Sequence, residues 1–265
     1  MLNCKGLKRF AALVLFFLLT APKTAFASFD HSHQDWDHVL KKYVHMLGPQ
    51  SRVDYSGLKS ERHLLDSYIG SITAVSKTEY QSFSRDQKLA FLINAYNALT
   101  VKLIVDNYPV SSIKDLGSWL RSPWKKKFFK LFGEWHTLDD IEHGIIRKNF
   151  NEPRIHFALV CAARSCPALR NEAYRADRLS EQLEDAARKF LRDKSRNRYL
   201  PAERRLELSS IFKWYRSDFE KNGSTLKLFI ALHMTDDPVL RREIQSPATD
   251  ITFLDYDWSL NDFKR

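Results

Sequence analysis

The chain is poor in the residues that interrupt regular structure, with 8 Gly and 9 Pro among 265 residues. It has no internal repeat, no low-complexity tract and no Gly/Ser-rich linker. That scarcity fits a helix-rich domain with short connections. Cysteine is scarcer still: Cys4 near the start, then Cys161 and Cys166. Two cysteines in the body of the chain make one candidate pair, not a disulfide framework. Their spacing is not Cys-x-x-Cys, so a thioredoxin-like centre is not indicated. No second Cys or His pair has the spacing of a zinc site. No cofactor is expected.

The formal net charge is +10, and it falls to +6 once the first 27 residues are set aside. Nucleic-acid binders show clustered basic stripes. The basic runs here, Trp124-Lys125-Lys126-Lys127 and Arg241-Arg242, read as solvated faces, so no nucleic-acid partner is expected.

What is present begins with a leader. Lys5, Lys8 and Arg9 form a basic segment without acids, Ala11 to Leu19 is an unbroken apolar run, and Ala25-Phe26-Ala27 is a small-x-small cleavage pattern. The apolar run is about half of the roughly 20 residues needed to span a bilayer. Residues 1–27 are therefore expected to be a signal peptide cleaved near Ala27-Ser28, with a periplasmic or secreted product. Cys4 precedes the run, which argues against a lipid-modified terminus. No later stretch is expected to span a membrane. The whole sequence is 44% apolar, the remaining chain is long enough to bury a large core, and residues 28–265 are expected to form a single globular domain.

Helical periodicity predicts an opening helix over 36–47, stopped by Gly48-Pro49, with an extended or turn segment at 51–58 and a helix at 60–69. Ser84-Arg85-Asp86-Gln87 is a capping box. It opens a helix to about Asp106 that is apolar nearly all round and therefore buried. A hairpin is predicted over 128–137 and a short capped helix over 138–148. The apolar run 155–162 reads as a buried strand. Helices follow at 177–191, 209–219 and 224–234, with short strands at 206–208 and 251–256. Helices outnumber strands without regular alternation, which predicts an α+β fold: a helix-rich domain on a small mixed or antiparallel sheet.

Three constellations carry candidate chemistry. The first is Cys161, delivered by the predicted strand to a polar turn holding Cys166. A nucleophilic Cys needs a base and a lowered pKa. On a straight strand His156 would face away from Cys161, about 16 Å off at ~3.3 Å per residue. His143 on the short preceding helix is the better base, oriented by Glu142. Against this stands the reading of Cys161 as a small buried hydrophobe. The second is Asn94 and Asn97, three apart on one face of the buried helix. They either brace neighbouring loops or line a pocket and bind substrate or an oxyanion. Arg147 and His156 join them as candidate substrate-binding groups. The third is Ile211–Phe219, where Phe212, Tyr215 and Phe219 read as core while Lys213 and Asp218 face solvent or a cleft. His31 and His33, with Asp30, Asp35 and His38, could catch a metal adventitiously.

The segments AFLINAYNALTVKL, LDDIEHGIIR, RIHFALVCAARSCPALR, SSIFKWYRSDF and LDYDWSLN, with VDYSGL at 53–58, together resemble the domain of unknown function 547 family. The resemblance runs from Asp30 to Asn261 and points to exported bacterial members. It implies no established activity and carries no catalytic residues onto this chain. On the residues alone the enzyme reading is a thiol-dependent hydrolase or acyl transferase acting on a small molecule or peptide. The alternatives are a non-catalytic periplasmic binding or structural protein, and a redox protein using the Cys161/Cys166 pair.

Overall fold

A computed structural model describes residues 28–118 and 121–264. The expected leader, residues 1–27, lies outside the described residues. The fold is α+β: many helices with one mixed three-stranded sheet and two small hairpins.

Helix Arg85–Asn107 is the axis of the molecule. Ser84 and Gln87 cap it reciprocally, and every side chain from Leu89 through Val101 is buried. Among the described residues it is the one helix long and apolar enough to cross a membrane, by length and composition only. In the fold it lies inside the protein, with helices Gln34–Tyr43, Tyr55–Ser60 and His63–Ala74 contributing Trp36, Leu40, Leu58, Leu65 and Ile72 to the surrounding core. The opening helix stops at Tyr43, earlier than its periodicity suggests. Val44–Leu47 is instead extended and pairs antiparallel with Gln50–Val53 across a turn in which Gly48 takes φ +62°. The predicted second hairpin forms from Phe129–Leu131 and Glu134–His136. Phe132 and Gly133 both have positive φ, as a two-residue hairpin turn requires.

A second core gathers Phe190, Leu206, Leu208, Phe212, Phe219 and Ile230 around the three-stranded sheet. In that sheet Arg205–Ser209 pairs antiparallel with Arg198–Leu200 and parallel with Asp250–Leu254. Helix Leu179–Leu191 covers this core, with helices Leu226–Met234 and Pro238–Gln245 beside it.

One element departs from expectation where it matters. The run 155–162 is not a strand: Pro153–Phe157 is a 3-10 turn, and residues 158–163 continue as irregular chain. Glu152 caps the turn at the Arg154 N–H, and the Ala158 and Leu159 N–H groups both return to the Ile155 carbonyl. A short apolar run cannot be told from a buried helical segment by periodicity alone. Here the backbone is satisfied locally and by a side chain from the axial helix, so no neighbouring strand is needed.

Candidate functional site

The irregular segment 158–166 is held from two sides. From the axial helix, the Asn97 amide donates to the Ala158 carbonyl at 2.9 Å, and its oxygen accepts the Val160 N–H at 3.0 Å. From the other side, the segment after the sheet lies antiparallel to it. Asn261 N–H donates to Ala162 O, Arg164 N–H to Ser259 O, and Ser165 N–H to Asp257 O. Ala162 is pinned between them at φ +57°, a left-handed conformation costly for a residue with a Cβ.

This clamp brings the two thiols together. The Cys161 N–H donates to Cys166 Sγ at 2.7 Å, and Cys161 Sγ lies 3.1 Å from Tyr256 Oη. Both cysteines are free, Cys161 half-buried and Cys166 buried. Their environments push them apart. Burial, reinforced by the neighbouring Cys166, raises the Cys161 thiol well above its ordinary range. Burial opposes ionisation of Cys166 too, yet hydrogen bonds from the Cys161 thiol and N–H and from Tyr256, with the charge of Arg196, outweigh it and lower its pKa. A negative charge on the pair therefore settles on Cys166, with Cys161 as its hydrogen-bond donor.

Both sulfurs line a cavity of about 260 Å3 that also receives Glu142, His143 and His156. The 3-10 turn places His156 here, correcting the expectation that a strand would turn it away from Cys161. Its Nε2 lies 2.8 Å from Asp218 Oδ2, and the Tyr215 ring stacks on it at 3.9 Å. Burial keeps the imidazole below its ordinary pKa despite the neighbouring carboxylate, so it is neutral at pH 7. Burial would raise Asp218, but hydrogen bonds from His156, Arg147 and Lys221 hold it far below the usual carboxylate range. An ionised aspartate therefore orients a neutral histidine.

Glu142 and His143 stand on the predicted short helix, which is wound as a π turn over Asp140–Ile146 after a reciprocal Thr137–Asp140 cap. Such i→i+5 turns recur at functional sites. Glu142 is 6% exposed and accepts a hydrogen bond from Tyr96 Oη at 3.1 Å, with Tyr215 lining the same cavity. His143 is more exposed. Its Nδ1 faces Arg147 Nη1 at 3.0 Å, and Nε2 lies 3.9 Å from Asp139. Since a guanidinium only donates, Nδ1 is the acceptor in that hydrogen bond.

Trp124, Trp214, Tyr256 and Trp258 form the outer wall. Ring centroids lie 4.6 Å apart for Tyr256 and Trp258, 4.9 Å for Trp214 and Tyr256, and 5.8 Å for Trp124 and Trp258.

Of the residues singled out in the sequence, Cys161, Cys166, Glu142, His143 and His156 converge on this cavity. Asn94, Asn97 and Arg147 stand behind it. Asn94 exchanges two hydrogen bonds with the Tyr174 backbone, so both amides brace neighbouring chain, and neither lines the cavity. Arg147 is spent on Asp218 and His143. His33 does not join a metal site: its Nδ1 meets Tyr68 Oη at 2.7 Å, and no metal-ligating cluster exists among the described residues. Sequence reasoning missed Asp218 as the partner of His156, and the wall formed by Tyr215, Tyr256 and Trp258. Their signal was their place in the segments SSIFKWYRSDF and LDYDWSLN, where Tyr215 was read as core and Tyr256 as the end of a strand.

No curated protein and no solved structure matches the chain. Residues 80–191, which carry both thiols, Glu142, His143 and His156, match the model of a family described as "Protein of unknown function, DUF547".

Proposed function

We propose that the cavity is the active centre of an exported thiol-dependent acyl-transfer enzyme, a hydrolase or transferase of small-molecule or peptide substrates. The observation that carries the reading is one cavity shared by a thiol pair, with its charge directed to Cys166, and by His156 oriented by Asp218. His156 takes the proton of the thiol pair, and the Cys166 thiolate attacks the carbonyl carbon. The leaving group departs with the proton from His156, giving a thioester. Water or a second nucleophile, deprotonated by the same imidazole, attacks the thioester and frees the sulfur. Asp218 keeps the imidazole in one tautomer and balances its charge while protonated. Tyr256 Oη, next to Cys161 Sγ, supports the pair from the opposite side.

Electrospray mass spectrometry of the chain incubated with activated thioesters and p-nitrophenyl esters tests this. An acyl adduct should form, accumulate in Asp218→Asn, and vanish in Cys166→Ser. Equal ester turnover in Cys161→Ser and Cys166→Ser would exclude thiol catalysis. One observation favours a second reading, dithiol–disulfide exchange: both sulfurs line one cavity, and the Cys161 N–H donates to Cys166 Sγ. In that case the chain should take up a disulfide on mixing with oxidised glutathione, releasing two equivalents of glutathione thiol, and no ester should acylate it. Export belongs to the same proposal and is read from the mass of the recovered protein, expected to begin at Ser28.

A further inference from the structure

Taking the site of the acyl-transfer reading as given, its lining discriminates among substrates. The cavity wall contains two carboxylates, Asp139 and Glu142, and neither lysine nor arginine. This occurs in a chain whose basic residues exceed its acidic ones by ten. Glu142 is the more telling of the two. Its carboxylate is buried, its hydrogen-bond donor is the Tyr96 phenol, and it forms no ion pair among the described residues. Burying a carboxylate without a countercharge is costly, and a cation brought by a ligand would remove that cost. Arg147 feels the charge of Glu142, but its hydrogen bonds go to Asp218 and His143.

The rest of the wall has matching chemistry. Trp124, Trp214, Tyr215, Tyr256 and Trp258 offer aromatic rings around the same space. Ring faces attract cations within about 6 Å of the centroid, tryptophan most strongly. One such contact already exists, since Lys114 Nζ sits 4.0 Å over the Trp258 ring. We propose that the cavity recognises an organic ammonium group, seated between the aromatic wall and Glu142, so that the substrate or acyl acceptor is an amine-bearing molecule.

Equilibrium binding followed by tryptophan fluorescence tests this, using the Cys161→Ser/Cys166→Ser chain so that no thiol chemistry contributes. The probes are choline against its neutral isostere 3,3-dimethylbutan-1-ol, and benzylamine against benzyl alcohol. At least one cation should bind about tenfold or more tightly than its neutral partner. Glu142→Gln should erase that preference. Trp214→Leu, at a ring that is 48% exposed and so safe for folding, should weaken the cation more than the neutral probe. Neutral probes binding as tightly as both cations would overturn the proposal, as would an unchanged preference in folded Glu142→Gln. Failure of the acyl-enzyme experiment with cation preference intact would remove the thiol mechanism and leave the ammonium site standing.

Discussion

Cys166 and His156 illustrate how far a residue's chemistry is decided by what surrounds it. Cys166 is as buried as a structural cysteine, yet four donors or charges around it lower its pKa. His156 sits beside an ionised carboxylate, yet burial keeps it neutral. Neither fact is visible in the sequence, because Tyr256 and Asp218 lie 90 and 62 positions from their partners. His33 is the simplest case for titration. Burial first, then the charge of His31, lowers its pKa to about 3. An unfolded histidine titrates near 6.5. Between those values the unfolded chain binds the extra proton, so stability falls as pH drops below 6.5, by up to about 1.4 kcal/mol per pH unit from this group. Urea midpoints at pH 7.5, 6.0 and 5.0 should therefore decline, and His33→Gln should flatten the decline. A slope identical in the variant would assign the acid sensitivity elsewhere.

Among the elements, the axial helix was the most legible, since its capping box and unbroken apolar character both survive in the fold. The segment 155–162 was the least legible. Its apolar residues gave the right burial and the wrong conformation, because Asn97 supplies the hydrogen bonds that a neighbouring strand would otherwise provide. The two amides of the helix make parallel braces with different loads: Asn94 holds Tyr174, whereas Asn97 holds the chain leading into Cys161. Replacing either by Ala removes two buried hydrogen bonds and leaves backbone groups unsatisfied, at about 2–4 kcal/mol. Both variants should lose that stability in denaturant titrations. Asn97→Ala alone should also change the iodoacetamide rate at Cys161. Equal thiol rates in the two variants would show that the loop keeps its shape without its brace.

Across the whole molecule, the α+β character was readable from the unequal, non-alternating count of helices and strands, whereas the division into two cores was not. Phe157 is the reason that division matters. It belongs to the second core, with ring centroids 5.2 Å from Phe190, 5.7 Å from Phe212 and 5.9 Å from Phe219. Its neighbour His156 lines the cavity. Phe157→Ala should cost about 3–5 kcal/mol and, unlike truncations elsewhere in that core, should also disturb the cavity. Thermal unfolding combined with thiol alkylation of the variant checks both parts. Normal alkylation at a lowered Tm would mean that the two regions are mechanically independent. The pairing of segment 257–261 with residues 162–165 has a temporal consequence as well. A ribosome delivers His143, His156 and the thiols long before Tyr256 and Trp258, so the nascent chain carries both sulfurs without the C-terminal rings that complete the cavity wall. The surroundings of the thiols are complete only when the last-made segment folds back over them.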